Sequence, residues 1–104
     1  MDKLDSNMAK QFYSAVLSLK TEEECRSFFE DVCTIKELQD LSQRLQVAFL
    51  LDEGRNYQEI SKATSVSSAT ISRVNRCLVY GDGGYRTVIG RVRAKRKAEG
   101  GANG

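Results

Sequence analysis

The chain contains no proline and no histidine, and no glycine precedes Gly54. With neither breaker present, the N-terminal half is open to uninterrupted helices. Without histidine, a metal site would fall to Cys25, Cys33 and Cys77 plus a carboxylate, yet no two cysteines have C-x-x-C spacing. No metal is therefore expected, and the three thiols read as small buried side chains in a reducing compartment. There is no histidine base, no glycine-rich loop after a strand and no cysteine beside an activating partner, so no catalytic residue is assigned and an enzyme is not expected. No apolar run approaches the ~18 residues of a membrane span. Residues Met1–Asn7 combine neither a basic start nor an apolar stretch, which excludes a signal peptide and points to the cytoplasm.

What is present is helical. The 104 residues suit one domain. Capping signals stand at Thr21 before Glu24, Thr34 before Glu37 and Asn56 before Glu59, and Ser67 is a fourth cap without the acid. Met8, Phe12, Ala15, Val16 and Leu19 form one apolar stripe, and Cys25, Phe28, Phe29, Val32 and Cys33 a second. A third, Leu38, Leu41, Leu45 and Phe49, lies on a helix from about Ile35 to Glu53 that Gly54 can close in a left-handed conformation. Val47, Leu50 and Leu51 lie off that stripe. A helix apolar on more than one face needs cover on more than one side, which suggests a homodimer.

Two shorter helices follow, about Tyr57–Ala63 and Ser68–Tyr80. After the break at Gly81-Asp82-Gly83-Gly84 comes a last helical segment, Tyr85–Lys97. The expectation is an all-α fold of about six helices, with residues 1–98 as a single helical domain and 99–104 as a disordered tail.

Charge is divided along the chain. Residues 1–53 carry 6 basic and 11 acidic residues, while 54–104 carry 10 and 3. A basic half of this kind suits a polyanion, although charge alone is equally that of a solvated surface.

Residues Tyr57–Leu78 resemble the helix-turn-helix of bacterial regulators. Ile60 faces inward, Ser61 is small where two helices cross, Val66 plugs the turn, and Ser67 caps the second helix. Ile71, Val74 and Leu78 then repeat inward. Many such turns have glycine where this chain has Ser65, so strain or a modified turn is expected there. The outward face of the second helix suits the major groove of double-stranded DNA. The candidate DNA-binding residues are Tyr57, Gln58, Ser67, Ser68, Ala69, Thr70, Ser72, Arg73 and Arg76.

From about Lys20 to Gly81 the chain resembles the Trp-repressor superfamily, in its TrpR-like YerC/YecD branch. The resemblance rests on Phe28-Phe29-Glu30-Asp31-Val32-Cys33-Thr34, Leu41-Ser42-Gln43-Arg44-Leu45-Gln46-Val47-Ala48 and Ala69–Leu78. It implies a six-helix subunit intertwined with its twin in a homodimer, two reading heads, and transcriptional repression on the nucleoid of a bacterial cytoplasm. It also implies a ligand site at Arg44 and Arg73, with Thr34 nearby. Family members that bind tryptophan have glycine after the second arginine. Here Val74 occupies that position, and overpacking of ~1–3 kcal/mol argues against a tryptophan corepressor. No other cofactor or effector is assigned.

Arg91, Arg93, Lys95, Arg96 and Lys97 lie beyond the glycine break and read as a flexible cationic segment contacting phosphates. The competing function is a protein–protein adaptor that uses the helix-turn-helix as a scaffold. Such an adaptor would carry large apolar anchors on the second helix's outer face. RNA binding lacks an aromatic platform for stacked bases.

Overall fold

The computed structural model describes residues 6–101, and the described residues form six α-helices with no strand: α1 (Ser6–Leu17), α2 (Glu22–Val32), α3 (Ile35–Asp52), α4 (Tyr57–Thr64), α5 (Ser68–Tyr80) and α6 (Gly84–Gly101). They divide into two compact units, one extending to Leu38 and one from Gln39 onward, so that α3 begins in the first and continues in the second. Among the described residues no helix is long and apolar enough to cross a membrane.

The helix boundaries follow the caps. Thr34 accepts the Glu37 N–H at 3.0 Å, and its own N–H donates to the Glu37 carboxylate at 2.8 Å. Asn56 and Glu59 form the same reciprocal box. At Thr21 the box is shifted by one residue. The threonine accepts from Glu24, but the Glu24 carboxylate accepts from Lys20 N–H at 2.9 Å instead of from the cap itself. Gly54, at φ 87°, ends α3 as expected. The Gly54 N–H reaches the Leu51 carbonyl and the Arg55 N–H the Leu50 carbonyl, which is a Schellman closure.

In the first unit, Phe12, Phe28 and Phe29 make a ring cluster with centroids 5.3–6.5 Å apart. Neither α1 nor α2 contains a buried residue. The second unit holds the buried core: Val47, Ala48, Phe49 and Leu50 of α3, Ile60 of α4, Val66, Ile71, Val74 and Leu78 around α5, and Ile89 of α6. Tyr85 packs half-buried against it. That burial, with the Cys77 thiol nearby, raises the Tyr85 phenol above its ordinary pKa, while Arg44 opposes the rise.

Three expectations need correction. Val47 and Leu50 are buried, and Leu51 is partly buried against the same core. Their cover comes from within the unit, so they give no reason for a second copy. Instead Leu41, on the supposed main stripe, is exposed. The cysteines are not core residues either: Cys25 and Cys77 are exposed and Cys33 is half-buried. Finally, α6 continues through Glu99 to Gly101, because Ala98 and Glu99 are good helix formers that extend the backbone ladder. Only residues 102–104 of the expected tail lie outside the described residues.

Candidate nucleic-acid interface

The α4–turn–α5 segment is built by burial on one side and exposure on the other. Ile60, Val66, Ile71, Val74 and Leu78 are all buried, as their spacing predicts. Full burial of such side chains contributes ~1.5–3 kcal/mol each, enough to fix which face of α5 turns inward. The turn is closed by Ser65 at φ 62°, ψ 20°, with its N–H on the Ser61 carbonyl. It is the only non-glycine residue with positive φ among the described residues, so serine adopts the conformation expected of glycine. Thr64 supports the turn by donating its hydroxyl to the Ile60 carbonyl at 2.8 Å and accepting the Val66 N–H at 3.2 Å. Ser61 is exposed, so its size is not dictated by burial at the helix crossing.

Ser68, Ala69, Ser72, Arg73 and Arg76 are exposed along α5, and Tyr57 and Gln58 are exposed at the start of α4. Ser67 and Thr70 have a structural task as well. The Ser67 hydroxyl accepts the Thr70 N–H at 3.2 Å and donates to the Thr70 hydroxyl at 3.2 Å, and Thr70 is half-buried. Large exposed apolar groups on α5 are confined to Val79 and Tyr80 in its last turn.

Arg44 and Arg73 do meet. They line one concavity of about 350 Å³ with Asp40, Gln43, Val66, Ser67 and Thr70. Val66 is its only apolar lining side chain. Val74, 2% exposed, belongs to the buried cluster with Val66 and does not line this concavity, so the crowding expected from it is directed into the core and not into the space between the two arginines. Thr34 belongs to the first unit, where its side chain caps α3. Sequence reasoning missed Asp40 and Gln43. The position of Asp40 one turn before Arg44 on α3 was the available signal, whereas Gln43, adjacent to Arg44 in sequence, offered none.

The basic segment also differs from its expected form. It is part of α6, and Arg93 is turned inward. Its guanidinium pairs with Asp52 and with Glu53 (3.6 Å), and donates to the Phe49 carbonyl at 3.2 Å. Arg93 and Arg96 both lie over the Phe49 ring, 5.4 and 5.3 Å from its centroid. Arg86 lies 3.9 Å from Asp52 and donates to the Leu78 carbonyl at 3.0 Å, tying α6 to the end of α5. The partners of Arg93 stand 41 residues away at Asp52 and 44 at Phe49, and no local spacing announces them.

Comparison with known proteins agrees with this architecture. The Trp repressor protein family model matches residues 7–93. YerC of Bacillus subtilis (strain 168), described as uncharacterized, is 50% identical over 93 residues, covering 89% of each chain. The crystal structure of a TrpR-like protein from Eubacterium eligens ATCC 27750 superposes with a TM-score of 0.82 at 50% identity, covering 86% of this chain and 92% of that one. A candidate Trp repressor from Staphylococcus aureus gives a TM-score of 0.82 at 40% identity, covering 86% and 89%.

Proposed function

The chain belongs to the Trp repressor protein family, and we propose that it is a sequence-specific DNA-binding transcriptional repressor that places α5 in the major groove and acts in the cytoplasm as a homodimer. The observation that carries this reading is the partition of α5. Ile71, Val74 and Leu78 are buried, while Ser68, Ala69, Ser72, Arg73 and Arg76 present a short, polar, cationic face. Short side chains let a helix approach base edges, and arginine is suited to guanine or phosphate. An adaptor would need apolar anchors on this face.

The homodimer is supported by the exposed apolar side chains of the first unit, including Met8, Leu17, Val32 and Ile35, which a second copy would cover. Two reading helices would then lie about 34 Å apart on an inverted-repeat operator. Tryptophan is not the proposed corepressor, since an indole in the Arg44–Arg73 concavity would meet one apolar lining residue of this unit, Val66.

The test is selection of duplexes from a random library, followed by titration of the wild type and Ala69→Glu. Enrichment of an inverted repeat, with the preference lost in Ala69→Glu, is the expected result. Failure to enrich any sequence, or an Ala69→Glu variant that keeps the preference, overturns the reading. Added tryptophan should leave affinity unchanged, and a tenfold tightening, about 1.4 kcal/mol of coupling, would restore it as corepressor.

A further inference from the structure

We propose that the solvent-facing cations of α6, Arg91 and Lys95 on one side of the helix and Lys97 on the other, are a second contact for the phosphates of duplex DNA, and that Arg93 and Arg96 take no part in it. The inference rests on the DNA-binding reading and adds a surface to it. From Gly84 to Lys97 the helix contains no acidic residue. Its cations divide by environment. Arg86 and Arg93 are tied to Asp52, and Arg93 and Arg96 lie over Phe49. Arg91, Lys95 and Lys97 are exposed, with neither an ion-pair partner nor an aromatic ring beneath them among the described residues, whereas Arg96, equally exposed and without an ion pair, is set apart by Phe49 alone.

Arg91 and Lys95 stand one turn apart, where like charges repel within a helix. The helix dipole does not account for them, because it favours cations within the last turn and the last turn of α6 contains no basic residue. A polyanion offsets that repulsion. Duplex DNA fits better than an anionic membrane: an interfacial helix needs a free apolar face, whereas Ile89 is buried and Val92 packs against the same core. Nothing in the arrangement fixes the cations toward base edges, so the contact positions the duplex and does not read it.

The experiment compares the full-length wild type, Arg91→Gln/Lys95→Gln/Lys97→Gln and Arg93→Gln/Arg96→Gln in titrations of selected and random duplexes across salt concentrations. Circular dichroism and denaturation run in parallel. Each lost phosphate contact should flatten the log–log salt dependence by about 0.9. The triple variant should therefore be shallower by two to three, weaker on both duplexes alike, and unchanged in stability. The Arg93/Arg96 variant should have a lower unfolding midpoint and, while folded, an unchanged slope. An unchanged slope in the triple variant, with Ala69→Glu still abolishing preference, overturns this inference and leaves the DNA reading standing. An equal loss of slope in the Arg93/Arg96 variant overturns the division of the cations. Absence of duplex binding by the wild type overturns both, and binding of these three cations to phosphatidylserine vesicles instead of DNA assigns the surface to lipid.

Discussion

Neither α1 nor α2 buries a single residue, whereas the unit from Gln39 onward encloses ten apolar side chains. Yet the first unit is not poor in apolar groups. Leu17 is 83% exposed, Ile35 79% and Met8 69%. Both regions have helical periodicity and sound caps, so amphipathicity alone does not make a core. A stripe becomes a core only when other elements close over it. The second unit supplies those elements itself, with α4, α5 and α6 around the end of α3. The first unit has two short helices and one aromatic cluster, which leaves its remaining apolar surface available to another copy of the chain.

The largest test of this contrast is truncation. Ile71→Ala should cost ~2–5 kcal/mol in chemical denaturation at any protein concentration. Leu17→Asp should act differently, lowering the midpoint chiefly by removing its dependence on concentration, as loss of a folded-state partner does. Sedimentation equilibrium of the wild type at micromolar concentration should show dimer. A monomer with a concentration-independent midpoint would break the comparison, because the exposed stripe would then need no cover.

Next in size is the hinge between α5 and α6. A Cβ on Gly81 would lie 2.3 Å from the Cys77 carbonyl oxygen, while one on Gly90 meets nothing within 4 Å. Gly81→Ala should destabilise by about 1–3 kcal/mol, as forced overpacking does. Gly90→Ala, inside α6, should stabilise by about 0.5–1 kcal/mol. Thermal unfolding separates the two, and equal shifts would show that the turn relaxes freely.

Capping comes third. Asn56→Ala removes one side of a complete box in the second unit and should cost about 1 kcal/mol. Thr21→Ala in the first unit leaves the Glu24–Lys20 bond in place and should cost less. Smallest is Ser65→Gly, which relieves a left-handed serine and should gain under about 1 kcal/mol, since glycine's extra unfolded-state freedom offsets part of the relief. A loss of stability there would mean that the serine side chain makes a contribution larger than its strain.

The amino-acid sequence by itself determined the six helices, most of their ends and the inward face of α5. These depend on groups three or four residues apart: Asn56 with Glu59, Ser67 with Thr70, and Ile71 with Val74 and Leu78. It also placed Arg44 and Arg73 together, through resemblance to a family. Tertiary structure decided what covers each helix. On α3, burial changes along the axis and not around it. Leu41 is exposed near one end, while four consecutive residues from Val47 to Leu50 are buried near the other. Periodicity reports direction around a helix and carries no information about which neighbours dock at which level. The same limit applied to the basic segment, where Arg91 and Arg93 look equivalent in sequence. Only the docking of α6 against Asp52, Glu53 and Phe49 separates the cation tied to the fold from the one left facing solvent, because those partners come from the end of α3 and the residue after it, some forty residues earlier in the chain.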